Sequence, residues 1–242
     1  MAVRSSLLAG LLALVAPRDC PGCGLTLELE RASVDPCGDA PDAQRLGKAT
    51  FCEACEPLLE RAPAWLTPPQ RAAAGWLFEG PCADAIRRFK YGGCGEHAGP
   101  LGSMLAAAAE PFRPAIDAVV PMPLHPTKLR ARGFNAAALL ARPVARSLGV
   151  PLVPGWLTRR RETRDQAGLA REARLANVRG AFAARRVRPC RVLLVDDVRT
   201  TGTTLAEAAA TLREAGHQVC TLALAWAPSG ADDARPIGAS VL

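Results

Sequence analysis

Aromatic side chains are scarce: Phe, Trp and Tyr supply 5% of 242 residues, and there is a single tyrosine. A nucleic-acid reader built on rows of stacked rings is excluded, and base stacking is confined to isolated positions. Long apolar runs are also missing. The best candidate, Ser5 to Ala16 behind Arg4, has an apolar centre of about ten residues, roughly half of what a bilayer span requires. It reads as a short helix packed on the protein rather than the secretory signal it resembles in outline, and no membrane span is expected. Lysine is nearly absent, with Lys48, Lys90 and Lys128 against 27 arginines. Codon bias accounts for most of that preference.

What remains is the make-up of a folded protein, with 49% apolar and 22% charged residues on a chain long enough for one or two domains. The net charge of +7 is not spread evenly. Arg159 to Arg191 holds eleven arginines against three acids, or +8, which leaves 19 basic and 20 acidic residues elsewhere. Nine cysteines could signal disulfides or metal, and spacing decides. Cys20-Pro-Gly-Cys23 and Cys52-Glu-Ala-Cys55 are C-x2-C pairs, a zinc pattern that implies a reducing compartment and hence the cytoplasm. The gap between the pairs is long enough for an inserted loop around Asp35 to Gly47, whose Cys37 is an alternative ligand.

Residues 17–62 are rich in Pro, Gly, Asp and Cys, which suits a small metal-held, zinc-ribbon-like module. Pro63, Pro68 and Pro69 then mark a linker, so the boundary falls near 62–75 and a second domain runs over 75–228. There Trp76 to Phe78 and Ala118 to Val120 read as strands, and Ala83 to Lys90 and Ala98 to Ala109 as helices. Asn135 to Leu148 is helical with a kink expected at Pro143, and Val150 to Val153 is a weak strand. Val192 to Val195 is a strand buried on both faces, ended by Asp196-Asp197. A Thr/Gly turn leads into a helix from Leu205 to Ala215 with Gly216 as its cap, and Val219 to Trp226 is the last strand. Strands alternating with helices give an α/β fold with a parallel sheet.

The strand–acid pair–loop–helix segment carries chemistry. Ligands bind at the carboxyl edge of such sheets. The backbone N–H groups of the loop, at a helix N-terminus, and the hydroxyls of Thr200, Thr201, Thr203 and Thr204 can surround a phosphate, with Gly202 allowing close approach. Two carboxylates repel phosphate, so Asp196 and Asp197 must face sugar hydroxyls or Mg²⁺. No Gly-Lys-Ser/Thr follows the glycine, which excludes a Walker A loop. Too few residues follow Asp196 for a response-regulator receiver.

Val192-Leu-Leu-Val-Asp-Asp-Val-Arg-Thr-Thr-Gly-Thr-Thr204 resembles the phosphoribosyl pyrophosphate (PRPP) motif of type I phosphoribosyltransferases. Phe89-Lys-Tyr-Gly92, Val120 to Pro126, Arg130 to Ala136, Arg159 to Gln166 and Arg174 to Phe182 follow in the order found in the ComF family, and the cysteine knuckles match. The resemblance spans about residues 18–226 and departs from the family at Arg199, where an aromatic or apolar residue is usual. It implies a type I phosphoribosyltransferase-like parallel sheet flanked by helices, with a small N-terminal zinc module. PRPP or a ribose phosphate would bind at Asp196, Asp197, Thr200, Thr201, Gly202, Thr203 and Thr204, with the two aspartates as the catalytic pair. Pro121 to Pro126 would be the pyrophosphate loop, flanked by Lys128, Arg130 and Arg132. Cys20, Cys23, Cys52 and Cys55 would hold structural zinc, and Mg²⁺ would accompany PRPP.

The family is associated with DNA uptake in natural competence, so competence-machinery proteins are expected partners. For the +8 stretch from Arg159 to Arg191 three readings stay open: contact with single-stranded DNA or another polyanion, a loop that closes over PRPP, and a solvated helix face. Two function classes stay open: transfer of phosphoribose to an unknown acceptor, and a non-catalytic factor that senses a ribose phosphate or a DNA end. His125, among prolines, reads as structural rather than as an acid. His97 and His217 lack partners at metal spacing. Cys82, Cys94, Cys190 and Cys220 read as small buried apolar residues.

Overall fold

The structure, a computed structural model, describes residues 19–27, 51–63, 71–93, 95–162 and 178–228. The apolar segment at residues 5–16, Cys37, Cys94 and the middle of the arginine-rich stretch at 163–177 lie outside them. Among the described residues, six strands occur: β1 (Ala72–Leu77), β2 (Ala118–Pro121), β3 (Leu157–Arg159), β4 (Phe182–Ala184), β5 (Arg191–Arg199) and β6 (Gln218–Trp226). The helices are α1 (Gly80–Tyr91), α2 (Ala98–Ala109), α3 (Pro126–Arg132), α4 (Ala136–Leu148) and α5 (Thr203–Glu214).

Four strands form a wholly parallel sheet in the order β1-β6-β5-β2. β5 lies inside the sheet, and Val192 to Val195 are 0% exposed, as a strand covered on both faces requires. Because side chains alternate across a strand, Leu193 and Val195 join the core formed with α1, α2 and α4, while Val192 and Leu194 join the one under α5. β3 and β4 form a separate antiparallel pair, whose Leu157 and Phe182 pack in that second core. Val150 to Val153, expected as a weak strand, contributes only a single parallel bridge from Leu152 to Val119. Pro151 inside the segment and Pro154 just after it limit it to that, since each lacks a ladder donor.

Two differences from the sequence reading shape the site. β5 does not stop at the acids but continues through Asp196 and Asp197 to Arg199, paired with β6. Its β2 side ends sooner, where Met122 N donates to the Val195 carbonyl at 2.7 Å. The carboxyl end of β5 is therefore held on one side and open on the other. The second concerns α4, which runs unbroken through Pro143. Asn135 starts it by accepting from Ala138 N and donates its amide to the Met122 carbonyl, tying the helix to the loop after β2.

The ring of Pro143 instead dictates how α2 packs. A Cβ on Gly102 would lie 2.7 Å from Pro143 Cγ, so only glycine lets the two helices close on a rigid ring. In an ordinary helix interior Gly→Ala stabilises by up to about 1 kcal/mol. Here we expect Gly102→Ala to destabilise by about 1–3 kcal/mol through overpacking, read as a lower urea midpoint. A raised midpoint would show that the contact does not govern the packing.

Candidate functional site

A cavity of about 230 Å³ opens at the carboxyl end of β5. Its floor is Asp196 and Asp197, one wall is Thr200, Gly202 and Thr204, and the facing wall is Lys128, Arg132 and Asn135. Gly202 precedes α5 in the left-handed region, with φ +78°, a conformation that side chains rarely adopt. Thr201 and Thr203 Oγ atoms lie 2.9 Å apart and bond each other, whereas Thr200 and Thr204 line the cavity. The expected ring of four hydroxyls is thus two facing inward and two bracing the turn.

On the opposite wall His125 caps α3, its Nδ1 accepting weakly from Thr127 N at 3.4 Å. Lys128 and Arg132, one helical turn apart, line the cavity; Arg130, on a different side of α3, is not among the lining residues. Three further cationic lining residues were not singled out as site residues from the sequence: Lys90, Arg159 and Arg199. Lys90 Nζ lies 2.6 Å from Asp197 Oδ1 across 107 residues of chain. The scarcity of lysine was the available signal, since two of the three lysines reach this cleft. The Arg199 guanidinium lies against the Thr/Gly loop, 2.9 Å from where a Cβ on Gly202 would sit.

The acids are not equivalent. Asp196 accepts from the Asp197 backbone N–H at 2.9 Å. Burial, reinforced by the Asp197 charge, raises its pKa to about 7, while Lys90, that hydrogen bond and Arg159 pull the other way. Lys90 is itself held above its usual value: burial favours its neutral form, but the charges of Asp197 and Asp196 outweigh it.

The four cysteines form a second constellation. A tight turn from Cys20 to Leu25 and a helical turn from Cys52 to Glu56 bring all four Sγ atoms within 4.8 Å of one another. Cys20 is fully buried and Cys55 nearly so, and burial pushes the Cys55 thiol up. At Cys52 burial is outweighed by hydrogen bonds from the Cys55 backbone and the neighbouring thiols, and its pKa falls to about 7. The knuckles share a core with α1: a Cβ on Gly22 would lie 2.8 Å from Pro81 Cβ, and Arg88 donates to the Cys23 carbonyl. Cys82 is also fully buried, whereas Cys190 and Cys220 are half-buried.

The arginine-rich stretch does not form one surface among the described residues. Arg159 lines the cavity, whereas Arg191 sits at the other end of β5, paired with Asp117 at 2.6 Å. Between them, Arg161 donates to the Arg179 carbonyl.

The Asp196 carboxyl gives a pH dependence with a definite sign. Its folded pKa, about 7, exceeds the usual value of about 3.9 for an exposed Asp. The native state therefore binds the proton more tightly, and stability falls as pH rises from about 4 to about 7. In ligand-free protein the melting temperature should decline across that window, with the decline reduced in Asp196→Asn. An unchanged slope in the variant would show that another group is responsible.

Comparison with known proteins agrees with this geometry. Residues 135–237 match the family described as phosphoribosyl transferase domain. Competence protein F of Haemophilus influenzae is 30% identical over 175 residues, covering 69% of this chain and 75% of that protein. The DNA utilization protein YhgH of Salmonella typhi is 31% identical over 168 residues, 67% of this chain and 72% of that one. Among solved structures, an adenine phosphoribosyltransferase covers 76% of this chain and 88% of its own, at 19% identity and TM-score 0.38. The glutamine PRPP amidotransferase from B. subtilis is 26% identical with TM-score 0.33, over 51% of this chain and 24% of its own. With its parallel sheet flanked by helices, its acid pair and its Thr/Gly loop at the end of β5, the chain has a type I phosphoribosyltransferase fold and belongs to the ComF family.

Proposed function

We propose that the cleft binds PRPP with Mg²⁺ and that the protein transfers the phosphoribosyl group to a nitrogen acceptor, releasing pyrophosphate, in a role tied to DNA uptake. The observation that carries this reading is the make-up of the cavity: Asp196, Asp197 and the Thr/Gly loop share one cleft with Lys128 and Arg132. A 5′-phosphate suits the N-terminus of α5, where unpaired N–H groups and the helix dipole favour an anion. Sugar hydroxyls donate to Asp197 and Asp196, and the departing pyrophosphate meets fixed cations on α3. Mg²⁺ entering with PRPP would neutralise charge on the pyrophosphate. Arg130, which does not line the cavity, would act there only through its longer-range charge.

We further assign residues 17–62 to a module around structural zinc and 75–228 to the transferase-like domain. A tetrahedral Zn²⁺ with bonds of about 2.3 Å spaces its sulfurs about 3.8 Å apart. Cys23 and Cys52 Sγ stand at 3.6 Å, so the thiols fit the ion. Such a site requires reduced cysteines, which supports a cytoplasmic location. Purified protein should carry one zinc, reduced or lost in Cys52→Ser. Protein free of both zinc and iron would refute the assignment, and full metal retention in Cys52→Ser would redirect it to Cys37.

PRPP with Mg²⁺ at about 100 times its dissociation constant should stabilise the fold by roughly 2.7 kcal/mol. This corresponds to a melting shift of about 5–11 °C for a chain of this size. Ribose 5-phosphate should give less, because it leaves the cations on α3 unused. Gly202→Val should abolish both shifts, since valine cannot take the loop's positive φ. Failure of both ligands to move the transition would refute the binding. Pyrophosphate release with an added acceptor tests the transfer. Phosphate-dependent binding of single-stranded DNA without release would replace it with the non-catalytic reading.

A further inference from the structure

Two adjacent carboxylates at the end of a buried strand need a cation nearby, and here the chain supplies its own. Lys90 Nζ rests 2.6 Å from Asp197 Oδ1, with the two side chains 16% and 13% exposed. The placement is fixed from several directions. Phe89 beside it is fully buried and packs against Phe134, the rings tilted by 32° with centroids 5.3 Å apart. Two residues before Lys90, Arg88 is tied to the Cys23 carbonyl. The ammonium acts on both acids, since it also attracts Asp196. Residue type fits the role: in a chain that uses arginine at 27 of its 30 basic positions, this one carries a compact point charge, closer to a metal ion than a planar guanidinium fork is.

We propose that Lys90 is a built-in countercharge that takes the place of a divalent cation at Asp196 and Asp197, so that the acid pair accepts hydroxyls and does not bind metal. With one oxygen of Asp197 already accepting from an ammonium, the pair stays charge-balanced at any metal concentration. A cation entering with the ligand is then left to the pyrophosphate side, by Lys128 and Arg132. The identity of the hydroxyls as those of a ribose rests on the PRPP reading; the exclusion of metal does not.

The test uses the full chain without PRPP, with Mn²⁺ binding followed by loss of the free-ion electron paramagnetic resonance signal. Wild-type protein should show no site that depends on Asp197. Lys90→Met and Lys90→Gln should each gain one Mn²⁺ site, at least about tenfold tighter than any in wild type, a conservative figure for the repulsion removed at this distance. Adding Asp197→Asn should abolish it, which separates the acid pair from the cysteines. Lys90→Arg, which keeps the charge, should gain none. Wild-type binding that is lost in Asp197→Asn would overturn the proposal, whatever the variants do. So would the absence of a new site in whichever of Lys90→Met and Lys90→Gln folds. Because no ligand enters, a failure of PRPP to bind leaves this result standing.

Discussion

Asp196 and Asp197 are adjacent carboxylates at the end of a strand whose preceding four residues are completely buried. A pair of like charges in a partly desolvated position is expensive unless one is neutralised and the other is paired. The protein does both. Asp196 is pushed toward the neutral form, and Asp197 holds the ammonium of Lys90. That requirement makes α1 part of the site, because its last turn delivers Lys90. It also reaches the cysteine knuckles, because the first turn of α1 packs on Gly22 through Pro81. Twelve helical residues span about 18 Å. The cysteine cluster therefore anchors one end of a short rigid element whose other end balances charge in the cleft.

The opposite wall obeys a separate constraint. The loop after β2 has lost its ladder partner by Met122, and Asn135 replaces it by bonding the Met122 carbonyl while starting α4. α3 lies between, capped by His125 at one end and by Gly133 with φ +83° at the other. A helix of two turns offers few faces, so Lys128 and Arg132 share the cleft side and Arg130 does not. Acids and cations thus come from different crossovers and meet only in the folded chain. The separation suits a ligand with a sugar at one end of the reacting bond and a leaving anion at the other.

The parts of this arrangement legible in the sequence are those that short stretches determine. The apolar run of β5, the acid pair, the glycine before α5, and the spans of α2 and α4 follow from neighbouring residues. The four cysteines follow from their spacing. What local pattern could not show was where the strand ends, because the partner strand, not the charge of Asp196, decides that. β6 continues opposite Ala223 to Trp226 and carries the acids into the ladder. Nor could it show that Lys90 meets Asp197, a contact across 107 residues, or that Pro143 would be absorbed by a glycine on another helix. The orientation of Arg130 needed the actual helix phase.

The arginine-rich segment shows why charge counted along a chain is a poor guide to charge on a surface. Arg191 contributes to the +8 of its stretch, yet it bonds Asp117 through three nitrogens and the Pro114 carbonyl through a further contact. Those bonds hold the Asp117 carboxyl down at about 2, so the pair is ionised at any physiological pH and adds little field of its own. Its work is to join the amino ends of β2 and β5. Arg159, at the opposite end of the sheet, faces the acids of the cleft instead. Charge at the mouth is thus already partly committed to the site. On the proposed function, a polyanion approaching there would meet the same groups assigned to a ribose phosphate, so the small ligand and the polyanion would compete for one mouth.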